Sequence, residues 1–450
     1  MKRKTKVRIA RFTRQVPILR EMQALRNESV LRLVVQAAFV GGCTGGVIGV
    51  FRWLYDHGNA WIVSTLRHGA DDLATALIVF GTLILLALIV GQMVRKEPLI
   101  SGSGIPQTEL ALAGQLPYPG FRIVASKFVG TLLSLSGGLS VGREGPSIQM
   151  GGAVGAGFHA LWRPAAPHAL TGSPYVVAGA VAGLAAAFGA PAAGVLFAFE
   201  EMKSRRDTSL IVAACASAIG AHLMIRIVFG MGRILPFAGF EAPPLSSFWI
   251  VALEGAVFGV LGVGYNKTLL WLHDREAGQT LIPDRWRALP PLLLAGCLAL
   301  FAPLLIGGGE SLIIFVGEHD VALKTLILLL AFKYLFAQYS TVASIPGGLL
   351  MPILCLGALW GRLWAELPVS ALAAHGLASG SVQPYVLFGM VSYFAATVRA
   401  PLTGIVLVTE MSGTYTCLPG SLLAGLIACK VANLLHCPPV YDSLKERIRL

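Results

Sequence analysis

The chain has 450 residues, of which 55% are hydrophobic and 13% are charged, and its mean hydropathy is +0.71. A soluble protein carries roughly 25% charged residues, so this composition excludes an ordinary soluble domain. It indicates an all-α polytopic membrane protein. Apolar runs recur along the whole length, and the clear ones are long enough to cross a bilayer, which takes about 20 residues.

The net charge of +12 is unevenly placed, with many basic residues before the first apolar run. Residues 1–30 are predicted to be a basic cytoplasmic segment, because Lys and Arg accumulate on the cytoplasmic side of membrane proteins. A nucleic-acid-binding arm is the competing interpretation, but a basic flank before a first span is far commoner. We therefore expect a multi-pass protein of the cell (inner) membrane, surrounded by lipid, with a cytoplasmic N-terminus and no nucleic-acid partner.

Two stretches of the chain can be laid over each other, one starting at Lys127 and the other at Lys333. In both, the Lys precedes a Gly-x-x-x-Pro motif by 15 residues. Further along, both contain Ala-Pro-x-x-Gly followed six residues later by a glutamate, which is Glu200 in one copy and Glu410 in the other. Chance similarity between apolar helices is the alternative, but the shared spacing of Lys, Gly, Pro and Glu favours a true internal repeat.

A duplicated half with interrupted apolar segments is typical of secondary transporters and related channels, whose sites lie near the membrane midplane. We therefore predict a first membrane repeat at residues 31–229 and a second at residues 248–445. The stretch 230–247 is predicted to connect them.

Three loops share one design, in which Gly and unusual residues precede a Pro and a helical run: GSGIP (102–106), GREGP (142–146) and GGLLMP (347–352). Pro suits the first turn of a helix, and Gly lets the backbone approach a ligand closely. The free N–H groups and the positive dipole of a helix start favour an anion. Three such loops that converge would bind an anion without a full lysine charge, whereas ordinary re-entrant turns are the alternative for any one of them.

Glu144 lies inside GREGP, and an acidic residue within a membrane is costly and is by default a functional hypothesis. Its carboxylate can occupy the anion site in place of the permeant ion and leave it when protonated, so one residue would serve as gate and proton carrier. A buried ion pair with Arg143 is the structural alternative. We instead expect Arg143 to pair with Glu109.

These motifs, together with PVYDSL (439–444), resemble the CLC chloride channel and transporter family. The resemblance extends from about residue 30 to about residue 445. It implies a CLC-type fold of two inverted-topology repeats with many tilted and broken helices, and a homodimer in which each subunit has its own anion pathway.

The resemblance also implies roles for particular residues. The Ser103 hydroxyl and the Tyr441 phenol would bind the central chloride and form an inner gate, and the backbone N–H groups of Leu349 and Leu350 would complete that site. Glu144 would be the external gate. A helix N-cap is the alternative role for Ser103, and an interfacial aromatic anchor is the alternative for Tyr441.

The chain departs from the family pattern at two places. In the family the second-half motif is commonly GxFxP, but here Leu350 replaces the Phe. The backbone N–H donors are unchanged, whereas the side chain that lines the pathway has a different shape. Gln107 follows GSGIP where many relatives have Glu. Ser103 occupies a position at which nitrate-selective relatives have Pro, so the resemblance implies a preference for chloride over nitrate.

Glu201 aligns with the internal proton-transfer glutamate of CLC antiporters, and the basic residues Lys203, Arg205 and Arg206 place it near the cytoplasm. Without the family, a helix-end carboxylate paired with those bases is the preferred interpretation. With it, Glu201 and Glu144 give a proton pathway with two stations, which favours chloride/proton antiport. The resemblance to short prokaryotic members that lack CBS domains favours the same activity.

A passive chloride channel is the alternative within transport. A membrane-embedded hydrolase that uses buried acids is the alternative from another class, but the sequence has no HExxH, GxGD or serine-elbow context. We predict no enzymatic activity. The seven cysteines show no metal-binding spacing, so no metal or cofactor is expected.

Overall fold

The structure is a computed structural model that describes residues 28–69, 73–202, 208–237, 240–374 and 382–448. Within these ranges the chain forms α-helices with short 3-10 and π turns, and it forms no β-strand. The predicted basic segment 1–30 lies almost entirely outside the described residues, as do the basic residues at 203–206. The prediction of an all-α protein is confirmed for the described part of the chain.

Eight helices precede residue 230, and they differ widely in length because several of them are interrupted by Gly and Pro. They are α1 (Glu28–Gly69), α2 (Leu73–Lys96), α3 (Ile105–Leu112), α4 (Gly120–Ser136), α5 (Glu144–Trp162), α6 (Pro174–Phe188), α7 (Pro191–Glu200) and α8 (Thr208–Leu223).

The helices after residue 247 follow the same sequence of long and short elements, with two short helices added. They are α9 (Phe248–Gly278), α10 (Leu289–Phe301), α11 (Glu310–Glu318), α12 (Leu323–Val342), α13 (Leu350–Trp364), α14 (Ser370–Ala374), α15 (Gln383–Val398), α16 (Pro401–Ser412), α17 (Leu418–Leu434) and α18 (Val440–Lys445).

Seven helical segments among the described residues are long and apolar enough to cross a membrane. They include Val30–Gly58 in α1 and Ala76–Lys96 in α2. Helices α6, α7 and α16 are apolar but only 10–15 residues long, and each begins with a Pro at its first position. The prediction of a multi-pass membrane protein with broken helices is therefore confirmed.

Helices α7 and α16 run antiparallel and cap each other. The Glu200 carboxylate at the end of α7 accepts hydrogen bonds from two N–H groups at the start of α16, at 3.1 and 2.7 Å. The Glu410 carboxylate near the end of α16 accepts hydrogen bonds from two N–H groups at the start of α7, at 3.2 and 2.9 Å. This reciprocal capping is what an inverted repeat produces, and it satisfies N–H groups that would otherwise lack an acceptor.

The two repeat lysines are buried and have equivalent roles. Lys127 donates hydrogen bonds to the carbonyls of Ile100 and Gly102, at 2.8 and 2.6 Å. Lys333 donates hydrogen bonds to two carbonyls within residues 305–307, at 2.9 and 2.8 Å. Each lysine therefore holds the glycine-rich loop of its own repeat in place.

The loop held by Lys333 is the repeat equivalent of GSGIP, and its sequence is Gly307-Gly308-Gly309. Gly104 precedes α3 with a φ of +88°, and Gly309 precedes α11 with a φ of +107°. Both angles lie in the left-handed region, where Gly avoids the strain that a Cβ would cause. The sequence comparison did not recover this loop, because only the glycines are shared between the two copies.

Candidate functional site

The three Gly/Pro loops converge, as predicted, at the interface between the repeats. Gly142 and Gly348 exchange backbone hydrogen bonds in both directions, with N···O distances of 2.6 and 2.7 Å. Gly102 accepts a hydrogen bond from the Gly347 N–H and donates one to the Ile345 carbonyl, both at 3.1 Å. These bonds fix the start of α5 and the start of α13 against the GSGIP loop.

Ser103 lies in this loop contact and is buried, with 7% of its surface exposed. A Cβ on Gly145 would come within 2.9 Å of the Ser103 Cβ, so the two loops touch at the backbone. The Ser103 hydroxyl accepts a hydrogen bond from the Ile105 N–H at 3.3 Å. Its own proton is therefore available to donate to an anion.

Leu349 and Leu350 stand at the N-terminus of α13, where Leu349 is the N-cap and Leu350 is the first helical residue. The first N–H groups of a helix have no acceptor within the helix, so these groups are free to bind an anion. Leu349 and Ser103 line the same small cavity of about 90 Å³. The structure thus brings these two predicted chloride-site residues together.

The cavity beside Ser103 adjoins a wider one of about 520 Å³ that shares Ser101, Gln107 and His273 as lining residues. Three arginines also line the wider cavity: Arg95, Arg287 and Arg447. Two of them are ion-paired, Arg287 with Asp284 at 2.9 Å and Arg447 with Asp274 at 2.8 Å. The two cavities together form a vestibule that leads from a basic face of the protein to Ser103.

Tyr441 is fully buried near the start of α18, and its hydroxyl has no hydrogen-bond partner among the described residues. An unpaired hydroxyl inside a protein is costly and calls for a ligand or a functional explanation. Tyr441 lies close enough to Glu201 and Glu144 to interact electrostatically with both carboxylates. The phenol is therefore near both of the predicted gating and proton-transfer residues, and its burial argues against an interfacial anchor.

Glu144 is the first residue of α5, and its side chain is fully buried. The carboxylate folds back over Gly142, in the space where a Cβ of that residue would lie. It faces the amide groups of Glu144 itself and of Met351, but neither oxygen forms a hydrogen bond of standard geometry with a described residue. The carboxylate therefore lies between the starts of α5 and α13 and faces an amide group of each helix.

The predicted pair between Arg143 and Glu109 is wrong. The Arg143 guanidinium forms ion pairs with Glu310 at 2.8 Å and with Asp56 at 3.3 Å. Glu109 instead forms an ion pair with Lys445 at 2.7 Å. Glu109 lies within α3 and not in a loop, and its carboxylate pairs with Lys445 at the end of α18, whereas Arg143 pairs with the two other acids.

Glu201 directly follows α7 and is buried, with 4% of its surface exposed. Glu200 and Glu201 therefore differ in role although they are adjacent. Glu200 caps α16, whereas Glu201 is in electrostatic contact with Tyr441. The basic residues expected to neighbour Glu201 lie outside the described residues.

Asp56 and Glu310 are charged residues near the site that the sequence analysis missed. Asp56 lies near the end of the apolar span Val30–Gly58 within α1 and belongs to no motif. Glu310 follows the run Gly307-Gly308-Gly309, and this run at the repeat equivalent of GSGIP is the signal that could have found it.

A sequence model of the voltage gated chloride channel family matches residues 84–433. The chain belongs to this family, the CLC chloride channels and transporters. The H(+)/Cl(-) exchange transporter ClcA of Vibrio campbellii is 32% identical over 426 residues, which are 92% of this chain and 89% of the relative. The protein of the same name from Vibrio cholerae is 34% identical over 360 residues, which are 78% of this chain and 75% of the relative.

Solved structures have the same architecture. The crystal structure of a slow cyanobacterial Cl⁻/H⁺ antiporter matches with a TM-score of 0.86 and 29% identity, covering 92% of this chain and 97% of the other. A CLC-type fluoride/proton antiporter matches with a TM-score of 0.71 and 20% identity, covering 92% and 97%. The second likeness concerns the fold alone, and together they confirm the predicted CLC-type fold.

Proposed function

We propose that the protein is a chloride/proton antiporter in which Glu144 is the external gate. The observation that carries this proposal is that the Tyr441 hydroxyl, buried and without a hydrogen-bond partner among the described residues, lies near two buried carboxylates, Glu144 and Glu201. A vestibule reaches Ser103 from one face of the protein, so an anion can approach this region. Two relatives named as H(+)/Cl(-) exchange transporters and the Cl⁻/H⁺ antiporter structure support exchange over passive conduction.

Chloride would enter through the vestibule and bind at the start of α13. There the N–H groups of Leu349 and Leu350, the Ser103 hydroxyl and the Tyr441 hydroxyl donate to it. Hydrogen bonds to a charged acceptor are roughly twice as strong as neutral ones, and the helix N-terminus adds its dipole. The site can thus hold a dehydrated anion without a neighbouring cation that would trap it.

Protons would share the outer part of the chloride pathway and follow a separate pathway on the inner side. Glu201 exchanges protons with the cytoplasm, and Glu144 exchanges them with the outside. When chloride leaves the outer position, the Glu144 carboxylate takes its place, and protonation releases it. Because the carboxylate and chloride compete for one position, proton transfer is tied to chloride movement in the opposite direction.

We infer that the protein lies in the inner membrane of the cell, with its N-terminus in the cytoplasm. Helices α1 and α2 are each long enough to cross, so residues 1–27 and Arg95 at the end of α2 would lie on one side. Arg95, Arg287 and Arg447 all line the wide vestibule, and a cluster of arginines is expected on the cytoplasmic side. Asp56, near the far end of the α1 span, would then face outwards.

The same resemblance supports a homodimer embedded in lipid, with one anion pathway in each subunit. Residues 31–229 and 248–445 would form the two repeats of each subunit, joined by residues 230–247. Chloride and protons are the proposed transported partners.

Current recorded from the reconstituted protein in a planar bilayer tests exchange against conduction. Under a chloride gradient at equal pH, an exchanger reverses its current at a potential displaced from the chloride equilibrium potential, because protons carry part of the charge. A passive channel reverses at the chloride equilibrium potential, and that result would replace antiport with conduction.

A further inference from the structure

The cation next to the gate is buried and shared between two acids. Arg143 has 4% of its side chain exposed, whereas the Glu310 side chain is 28% exposed and the Asp56 side chain is 49% exposed. The guanidinium also lies over the Tyr55 ring, with its Cζ 5.7 Å from the ring centroid. Arg143 is thus held on the outer side of the loop that carries Glu144.

Glu310 reaches Arg143 because of the glycine loop before it. Gly309 adopts a φ of +107°, and α11 begins immediately after it with Glu310. In the first repeat the equivalent position after Gly104 is Ile105, which is fully buried. The second repeat therefore uses the same loop to present a carboxylate where the first repeat presents an apolar side chain.

The charges around the Glu144 carboxylate come from several elements. Its own loop contributes Arg143, and α11 contributes Glu310. The remaining titratable groups that interact with it are on α1 and α18: Arg52, Tyr55 and Tyr441. Asp56 influences the Glu144 carboxylate indirectly, through its ion pair with Arg143. The two outer acids balance the charge of the two arginines, so the cations do not hold the gate carboxylate in place by themselves.

We propose that Glu310 is a positioning residue for the external gate: its ion pair neutralises Arg143 and thereby sets the pH at which Glu144 is protonated and released. This inference rests on the proposed function. Without the Glu310 charge, Arg143 keeps only the more exposed Asp56. The uncompensated positive charge favours the ionised, bound form of Glu144, because an opposite charge nearby stabilises a carboxylate.

Glu310→Gln is expected to shift the pH profile of chloride/proton exchange to lower pH. Half-maximal exchange should need about three- to ten-fold more protons than in wild type, or about 0.5 to 1 pH unit, which is at or below the lower end of the one to three units that a direct neighbouring charge produces. Glu310→Asp, which keeps the charge, should restore most of the profile. Asp56→Asn should shift it in the same direction by less, since that carboxylate is half exposed.

Chloride and proton fluxes are measured in liposomes across external pH for these variants. In a Glu144→Gln background, where proton exchange is lost, the pH profile of chloride flux alone is measured. The proposal requires that Glu310→Gln shift the profile when Glu144 is present and have no effect on it when Glu144 is replaced. An unshifted profile, a rate lowered equally at every pH, or a shift that persists without Glu144 would overturn it. A wild-type protein that moves no protons would instead refute the proposed antiport, so the two failures are distinct.

Discussion

Gly142 and Gly348 hydrogen-bond to each other in both directions, N–H to carbonyl, at 2.6 and 2.7 Å. They occupy equivalent places in the two repeats, so this pair joins the repeats at the proposed anion site. The close approach leaves almost no room for side chains: a Cβ on Gly348 would lie 3.0 Å from the Gly145 nitrogen. The gate carboxylate lies directly beside this contact, over Gly142.

Gly142→Ala is expected to displace the Glu144 carboxylate while shifting the loops by only a few tenths of an ångström. The new methyl group would overlap the Oε2 atom of Glu144, which is the flexible end of a side chain, and would lie 3.2 Å from the Met351 Cβ. The carboxylate should therefore leave its position, so chloride flux should persist while proton coupling falls. Chloride and proton fluxes measured together in liposomes check this prediction.

Gly46→Ala is the matched control for that variant, because nothing lies within 4 Å of a Cβ at this position in α1. It should transport like wild type. If Gly142→Ala keeps full proton coupling, the carboxylate does not need the space over Gly142, and the assignment of that position as the closed gate is wrong.

Lys127→Met is expected to weaken chloride binding. The substitution leaves the Ile100 carbonyl without its buried donor, which costs about 1–3 kcal/mol, and removes one of two donors from the Gly102 carbonyl, which keeps the Gly347 N–H. The Ser103 loop would relax, and chloride affinity should fall about tenfold, the equivalent of about 1.4 kcal/mol. Titration calorimetry of the purified protein with chloride measures the change.

Lys333→Met is the symmetric control, since Lys333 holds the loop Gly307-Gly308-Gly309 and not the loop that carries Ser103. It should lower stability to a similar degree and have a smaller effect on chloride affinity. Equal loss of affinity in the two variants would show that general destabilisation, and not the Ser103 loop, is responsible.

Glu200→Gln is expected to lower the stability of the protein without affecting proton coupling, whereas coupling should depend on the adjacent Glu201. The Glu200 carboxylate caps α16 through the N–H groups of Leu402 and Thr403, and it also accepts a hydrogen bond from the Thr403 hydroxyl at 2.8 Å. Loss of its charge should cost about 1 kcal/mol and lower the unfolding temperature by about 1 °C, because the entropy of unfolding grows with chain length. Thermal unfolding in detergent measures this effect, and proton coupling should be unchanged. Loss of coupling in this variant would contradict the separation of roles.

Much of the site could be predicted because it consists of backbone geometry that Gly and Pro encode locally. The convergence of the GSGIP, GREGP and second-half loops followed from their shared helix-start design. The roles of Lys127 and Glu200 were not predicted, although both marked the repeat. Their partners are backbone carbonyl and N–H groups, which nearly every residue has, so the sequence does not indicate which residues provide them.

The partners of Arg143 could not be predicted for a related reason. A long side chain can reach any acid within several ångströms, and the choice depends on which side of the loop it leaves. The ion pair with Glu310 requires the left-handed turn at Gly309, and a run of three glycines does not specify where a turn occurs. The sequence therefore singled out Glu144 as the predicted gate but not the charges that surround it.

The most direct test of the central claim is proton uptake into chloride-loaded liposomes under an outward chloride gradient with no pH gradient. Wild type, Glu201→Gln and Glu144→Gln are compared, with chloride efflux recorded in parallel. Antiport through two glutamates predicts uphill proton entry in wild type, and no proton entry but continued chloride efflux in both variants. Chloride efflux without proton movement in wild type would contradict the account and make the protein a passive chloride channel.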